Sequence, residues 1–226
     1  MNIIKVSNPK EGIKTAFHIL VDAIHQTESL RLALSGGTTP IALFELMAAW
    51  SEQEPKLDEK LKICWVDERV VPFQNHRSNY GNAIQTWPTI NKLIHCPFPV
   101  SVEKDLIANE YYLQLIQLGF ANRNHQSLVD YALLGMGTDG HVASVFPNVD
   151  LQHQNNVAAV CFQPEQDEWR ATLTIPFLKQ SKHNLALVFG ADKKAVLQEC
   201  FQGNFHYPFA QLVKENLILI TDQDVE

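Results

Sequence analysis

Short apolar runs, separated by segments of helical period, constrain the fold of this chain more than any other feature. The runs are rich in leucine, valine and isoleucine and are too short for buried helices, which favours strands covered on both faces. Regular alternation of such strands with helices is typical of α/β proteins with a parallel sheet. We predict strands at residues 30–34, 63–66, 128–134, 157–162, 185–189 and 217–220.

Apolar residues between these runs recur at helical spacing. We predict helices at residues 41–50 and 102–118, and a first helix with an apolar face formed by Ala16, Ile19, Leu20, Ala23 and Ile24. Residues 1–6 predict a further short strand, and the polar residues 51–60 and 121–126 predict surface connections. The expected fold is α/β, a doubly wound, mainly parallel, Rossmann-like sheet with helices on both faces. Because 226 residues with 46% hydrophobic content can bury one core, residues 1–226 are expected to form a single domain.

Composition excludes several classes of function. The chain has 18 Lys and Arg against 25 Asp and Glu, a formal net charge of -7, which argues against a nucleic-acid or anionic-membrane surface. The first residues lack the apolar core of a signal peptide and no run is long enough to span a membrane, so we expect a cytoplasmic protein. The cysteines form no Cys-x-x-Cys pair, and we predict reduced structural thiols and no metal site at Cys64, Cys96, Cys161 and Cys200.

Ligands of doubly wound sheets bind beyond the carboxyl ends of the strands, so the residues that follow each apolar run are of special interest. The turn at residues 35–40 contains Gly36, Gly37 and Thr38 and precedes a helix, whose first N–H groups can bind phosphate. The alternative is a plain turn with Thr38 or Thr39 as the helix N-cap, which is compatible with phosphate binding.

Charged residues follow the next strand, where burial is costly unless the charges are paired or used. In the sequence Asp67-Glu68-Arg69, the arginine can bind a phosphate or one of the acids, and an acid beside it would stay ionised. The alternative is a solvated cluster of ion pairs at the rim of the sheet. Further along, either Ser78 or Asn79 is predicted to be the N-cap of a helix.

The strand at 128–134 leads into a glycine-rich segment that contains Gly135, Gly137, Asp139, Gly140 and His141. Glycine lets the backbone approach a ligand closely, and histidine can exchange protons at neutral pH. An ordinary strand followed by a helix start is the alternative. The other histidines, His153 among them, lie in helical, polar or turn-like stretches and are predicted to be surface or structural residues.

Two cations stand in similar positions. Lys193 follows Gly190 at a predicted helix start, where a lysine opposes the helix dipole and needs an anion nearby. Arg170 precedes the β-like residues 171–174. Each can also be an exposed surface cation, but the strand ends together favour a site for a phosphorylated small molecule.

These motifs resemble the 6-phosphogluconolactonase family, within the wider superfamily of glucosamine-6-phosphate deaminases and ribose-5-phosphate isomerases. Ala-Ser and Phe-Pro pairs after the histidine favour the lactonases, because the deaminases typically have Ala-Phe and an Asn-Glu-Pro string there. The chain departs from the family's pattern at Arg77, where an acid often precedes Ser-Asn-Tyr, and at 208–210, where Pro-Phe-Ala replaces Pro-Ala-Ser. The matching segments are residues 34–40, 65–69, 71–72, 78–80, 134–147, 170–174 and 190–193.

The resemblance implies hydrolysis of 6-phospho-D-glucono-1,5-lactone to 6-phosphogluconate, without cofactor or metal, in the oxidative pentose phosphate pathway. The reaction would link glucose-6-phosphate dehydrogenase to 6-phosphogluconate dehydrogenase. His141 would act as general base and acid, with Asp67 as the first candidate to orient it and Asp139 as the alternative. Backbone N–H groups of the glycine turn, Gly137 included, would face the lactone carbonyl. The residues expected to hold the phosphate are Gly36, Gly37, Thr38, Arg69, Arg170 and Lys193.

Two other functions stay open at this point. A glucosamine-6-phosphate deaminase or sugar-phosphate isomerase would use the same histidine for ring opening and a carboxylate to remove a proton from carbon 2. A non-catalytic sugar-phosphate sensor would bind the same ligands without turnover. We expect a monomer or a small homo-oligomer that binds a small phosphosugar lactone, with neither nucleic acid nor membrane as a partner.

Overall fold

A parallel sheet of seven strands forms the centre of the computed structural model, which describes residues 1–149, 151 and 156–225. His153 lies outside these residues. All neighbouring strands of the sheet are parallel. In spatial order they are β1 (Asn2–Lys5), β10 (Leu217–Thr221), β9 (His183–Val188), β6 (Tyr131–Gly135), β2 (Leu30–Leu34), β3 (Leu61–Trp65) and β5 (Ile94–Cys96).

The strand order reverses between β2 and β6. From β2 the chain proceeds through β3 to β5 on one side, and β6 then returns to the other side of β2 and leads towards β9 and β10. Such a switch point opens a crevice beyond the carboxyl ends of the two strands. The predicted doubly wound, mainly parallel α/β fold is confirmed.

A second sheet contains three antiparallel strands, in the order β4 (Asp67–Arg69), β8 (Glu168–Leu173) and β7 (Ala158–Gln163). The run at 157–162 was predicted as a strand of the main sheet, and this placement is wrong. The connection between β7 and β8 is only residues 164–167, too short for the crossover that parallel strands require, so the two strands form a hairpin. The charged residues 67–69 form a strand that pairs with β8, rather than a solvated cluster of ion pairs at the rim of the main sheet.

Helices cover the main sheet. The predicted first helix is the longest, and Asn8 caps it by accepting a hydrogen bond from the Glu11 N–H. Residues 51–60 were expected to be a surface connection, but they include the short α3, whose Leu57 is buried. The helices are α1 (Pro9–Gln26), α2 (Thr38–Ser51), α3 (Leu57–Lys60), α4 (Asn79–Thr86), α5 (Lys104–Leu118), α6 (Ile175–Leu178) and α7 (Lys194–Phe201).

The core is continuous across both sheets. Strands β2, β3, β6 and β9 are almost fully buried, as expected for apolar strands with helices on both faces. The N–H of Leu173 in β8 donates to the carbonyl of Val66, which lies between β3 and β4, and so joins the two sheets. The small sheet thereby stands beside the carboxyl ends of the main one.

Candidate active site

A cavity of about 270 Å³ lies at the switch point between β2 and β6. Its walls come from the turns after these strands, from the small sheet and from the start of α7. The predicted site residue Asp139 lies behind His141 rather than in the wall. All the other predicted site residues line the cavity: His141, Asp67, Gly36, Gly37, Thr38, Arg69, Gly137, Arg170 and Lys193.

The turn after β2 presents the N-terminus of α2 to the cavity. Gly37 is the N-cap, with a φ of 105°, a left-handed conformation that favours glycine. Thr38 is the first helical residue, so the alternative in which a threonine caps the helix is wrong; the helix start has no side-chain cap. Its unpaired N–H groups and the positive end of the dipole are suited to an anion.

His141 is paired with Asp139. The imidazole Nδ1 lies 2.6 Å from Asp139 Oδ1, and the His141 N–H donates to the same oxygen at 3.2 Å. Burial alone would raise the pKa of Asp139, but the hydrogen bond from His141 and its charge outweigh burial and lower the pKa below the ordinary 3.8. An ionised carboxylate only accepts hydrogen bonds, so Nδ1 carries a proton and Nε2 is left to accept one.

Gly137 makes this pair possible. A Cβ at this position would lie 2.1 Å from His141 Nδ1 and 2.4 Å from Asp139 Oδ1, so a larger residue would displace both side chains. The Gly137 N–H donates to the His141 carbonyl at 2.9 Å and closes the turn. The ring of Phe146 packs against the imidazole, with centroids 4.6 Å apart.

Asp67 faces the cavity with different partners. Its Oδ2 accepts a hydrogen bond from Ser144 Oγ at 2.8 Å, and Oδ1 accepts one from Asn79 Nδ2 at 3.2 Å. Ala143, with a φ of 55°, turns the chain at the residue before the buried Ser144. Asp67 was the first candidate to orient the His141 imidazole, but the carboxylate that contacts the imidazole is that of Asp139.

Glu68 is fully buried and structural. Its carboxylate accepts hydrogen bonds from the N–H groups of Asn79 and Tyr80, at 2.7 and 2.8 Å, and from Ser78 Oγ at 3.0 Å. It also accepts from the N–H of Arg69 at 2.7 Å. Burial outweighs these bonds and raises the pKa of Glu68. The carboxylate fastens the N-terminus of α4 to β4.

Three cations converge on the cavity from separate elements. Arg69 and Arg170 are register partners on β4 and β8, and Lys193 precedes α7. Burial lowers the pKa of Lys193, against the opposing charge of Asp192. Burial also lowers the pKa of Arg170, and the charge of Arg69 lowers it further. Positive charges that line one cavity from three elements favour the binding of an anion there.

The family model described as Glucosamine-6-phosphate isomerases/6-phosphogluconolactonase matches residues 10–219. The chain belongs to this family. The 6-phosphogluconolactonase of Chlamydia pneumoniae is 31% identical over 79% of the chain and 67% of the relative. That of Haemophilus influenzae is 28% identical over 96% and 94%. The solved structure of the Trypanosoma cruzi 6-phosphogluconolactonase aligns with a TM-score of 0.86 at 26% identity, covering 99% of this chain and 94% of the other.

Asn79 and Ser35 are polar residues that line the cavity without having been predicted there. An N-cap of α4 was predicted at Ser78 or Asn79, and Ser78 is the cap. Asn79 Nδ2 instead donates hydrogen bonds to the backbone carbonyl and the Oδ1 of Asp67. Its amide occupies the space beside Gly36, where a Cβ would lie 1.8 Å from Oδ1. Ser35 lies in the wall of the cavity and is 7% exposed. Ser35 follows a predicted strand and Asn79 belongs to a predicted motif, but the sequence alone does not show that their side chains face the cavity.

Among the residues that the structure describes, no group of three or more His, Cys, Asp or Glu side chains is placed to hold a metal ion. Within the same residues, no helix has the length and apolar character needed to cross a membrane. Each of the four cysteines is buried with a free thiol.

Proposed function

We propose that the protein hydrolyses 6-phospho-D-glucono-1,5-lactone to 6-phospho-D-gluconate. The observation that carries this proposal is the His141–Asp139 pair at a cavity into which three cations converge. A phosphorylated ester needs a proton-transfer group at one end and an anion site at the other. The names of the similar proteins from Chlamydia and Haemophilus support the same reaction.

In the proposed mechanism, His141 Nε2 takes a proton from a water molecule as the water oxygen attacks the lactone carbonyl carbon. The Gly137 N–H was expected to face the lactone carbonyl, but it donates to the His141 carbonyl at 2.9 Å. We therefore assign stabilisation of the negative charge that develops on the lactone carbonyl oxygen to other backbone N–H groups of the turn at 135–140. The imidazolium then returns the proton to the ring oxygen as the bond from that oxygen to the carbonyl carbon breaks. Asp139 keeps Nδ1 protonated throughout, so that Nε2 serves both transfers.

The phosphate of the substrate would lie at the N-terminus of α2, on Gly36, Gly37 and Thr38. Arg69, Arg170 and Lys193 supply the opposing charge. We place the reaction in the cytoplasm, in the oxidative pentose phosphate pathway between the two dehydrogenases, and expect a monomer or small homo-oligomer. The residues of the chain suffice for this chemistry without a cofactor.

The test is a coupled assay with freshly made lactone and 6-phosphogluconate dehydrogenase, in which spontaneous hydrolysis is subtracted. His141→Ala should lower kcat by about 100-fold or more, the usual contribution of a general base, and leave KM within about two-fold. His18→Ala, an exposed histidine of α1, is the matched control and should keep full activity. A catalysed rate that survives His141→Ala would refute the assignment.

Deamination or isomerisation of an amino-sugar phosphate is the second candidate. The family description names glucosamine-6-phosphate isomerases, and the Asp67 carboxylate in the cavity is a group that could remove a proton from carbon 2. Incubation with glucosamine 6-phosphate and measurement of ammonia separates the two candidates. We expect no ammonia above the buffer control.

A further inference from the structure

Arg170 forms an ion pair with Glu168, and Glu168 forms a second ion pair with Arg77. Glu168 and Arg170 lie two residues apart on β8, so their side chains leave the same face of the strand. Arg170 Nε lies 2.7 Å from Glu168 Oε2, and Gln166 Oε1 accepts a hydrogen bond from Arg170 Nη2. On its other side, Glu168 Oε1 lies 2.9 Å from Arg77 Nη1. The departure from the family's pattern at Arg77 thus has a local ionic partner.

Electrostatics explains why Arg170 needs such a partner. The residue is 7% exposed and lies directly opposite Arg69 across the two strands, an arrangement that like charges destabilise. The pKa of Arg170 is lowered by burial first and then by the charge of Arg69, whereas Asp67 and Glu168 act in the opposite direction. A buried guanidinium is retained only with paired anions and well-formed contacts. Glu168, itself 5% exposed, supplies the paired anion, and Gln166 supplies the hydrogen bond.

The same contacts leave Arg170 available to a ligand. A guanidinium has five N–H groups in a rigid plane. Glu168 lies against Nε as an ion pair, without a hydrogen bond of good geometry, and Gln166 accepts a hydrogen bond from Nη2. Among the residues that the structure describes, none accepts a hydrogen bond from Nη1, which is therefore available to an anion in the cavity that Arg170 lines. A side chain that is already held in place loses less rotamer entropy when it binds.

We propose that Glu168 is a positioning residue for phosphate recognition: its carboxylate holds the Arg170 guanidinium in the orientation that meets the substrate phosphate. This inference rests on the proposed function, since it takes the phosphate of the lactone as the anion. Glu168 acts through Arg170 and has no part in proton transfer at His141. Its loss therefore weakens binding and spares the chemical step.

The central experiment compares Glu168→Gln with the wild type in the full-length chain. KM for the lactone should rise about ten-fold while kcat stays within about two-fold, because a charge-assisted contact that positions the phosphate ligand is lost. Binding of inorganic phosphate, measured by calorimetry, should weaken by a similar factor. Glu165→Gln is the matched control, because it removes the same charge from an exposed residue in the connection that precedes β8. The KM of this variant should stay within about two-fold of the wild-type value.

Two further variants test whether Glu168 acts through Arg170. In an Arg170→Met background, Glu168→Gln should add no further increase in KM, as expected for two residues that contribute through one contact. Gln166→Ala removes the other contact from an exposed position, where folding is not at risk. It should raise KM about two- to three-fold, again with kcat preserved.

The outcomes separate the inference from the proposed function. An unchanged KM in a folded Glu168→Gln variant, or an equal change in Glu165→Gln, would overturn the positioning role while lactonase activity stands. If the wild type shows no lactonase activity above background, the proposed function fails, and phosphate binding by the wild type and Glu168→Gln decides the role of Glu168 alone. If Glu168→Gln does not fold, Gln166→Ala tests the premise that side-chain contacts position Arg170 for phosphate, and unchanged phosphate binding by that variant would overturn the inference.

Discussion

One carboxylate selects the tautomer of the His141 imidazole. Asp139 Oδ1 accepts a hydrogen bond from His141 Nδ1–H, 2.6 Å away, and the turn places both residues within one short segment. An asparagine in its place removes the charge and can present an amide N–H to Nδ1, which favours the wrong tautomer. The carboxylate therefore determines the tautomer of the imidazole as well as its position.

Asp139→Asn should therefore lower kcat by about ten-fold or more and leave KM nearly unchanged. Because the pKa of Asp139 lies below 3.8, the carboxylate is ionised at every pH above about 5, and the defect should be present throughout that range. Steady-state kinetics from about pH 5 to 9 measures it. Asp22→Asn, an exposed residue of α1, should have no effect. A loss expressed only in KM would contradict the role of Asp139.

Space at Gly137 is the second requirement of the pair. Gly137→Ala places a methyl group 2.1 Å from His141 Nδ1, so the imidazole must move and kcat should fall about ten-fold or more. Gly203→Ala is the control: its positive φ of 82° makes the alanine strained, but its Cβ has open space. The control should lower the melting temperature and keep kcat. A Gly137→Ala enzyme with normal kcat would show that the pair tolerates displacement.

At the scale of elements, Glu68 joins β4 to the N-terminus of α4. Glu68→Gln replaces one acceptor oxygen by a donor that faces N–H or O–H groups, so it should lower the free energy of unfolding by about 2–4 kcal/mol. The raised pKa means that the folded state binds the proton more tightly than the unfolded state. Wild-type stability from this group therefore falls as pH rises from 4.5 through the folded-state pKa.

The measurement is urea unfolding of both proteins from about pH 4.5 to 8. The free energy of unfolding of the wild type should exceed that of Glu68→Gln by the largest amount near pH 4.5, and this difference should decrease as the pH rises. Glu45→Gln, on the exposed side of α2, serves as the control and should change neither quantity. If the difference in the free energy of unfolding between wild type and Glu68→Gln increased with pH, hydrogen bonding rather than burial would determine the pKa of Glu68.

Sequence patterns located the elements of the main sheet better than those of the small one. The strands at 30–34 and 217–220 were predicted closely because apolar runs covered on both faces leave a strong signal. Strand β4 consists of Asp67, Glu68 and Arg69, which carry no apolar pattern, and the partner of the 157–162 run depends on a hairpin that the sequence does not reveal. The glycine turns and His141 were predictable from residue chemistry. The choice between Asp139 and Asp67 was not, because it depends on where Ser144 and Asn79 lie in space.

At the scale of the whole molecule, the two sheets share one core, and we propose that residues 1–226 form a single domain. The Leu173–Val66 hydrogen bond and the direct passage of the chain from β3 to β4 tie the small sheet to the main one. Unfolding of either sheet would expose apolar residues of the other. We therefore expect one cooperative transition.

Urea unfolding followed by far-UV circular dichroism and by tryptophan fluorescence tests this expectation. Trp65 is buried in β3 of the main sheet and Trp87 is buried at the end of α4, whereas Trp169 lies on β8. Comparison with Trp169→Phe therefore separates the signal of the small sheet. Coincident midpoints are expected. Two transitions, with Trp169 responding first, would show that the small sheet is a separate unit.

The proposed phosphate site makes the final prediction, because its residues come from both sheets. Gly36 and Lys193 follow strands of the main sheet, and Arg69 and Arg170 belong to the small one, so a bound ligand links the two. 6-Phosphogluconate at 100 times its dissociation constant should add about 2.7 kcal/mol to the free energy of unfolding and raise the midpoint of both probes equally. In Arg170→Met the added stability should shrink for both probes together. A ligand that shifted only one probe would be bound by one sheet, and the site would not span the switch point as proposed.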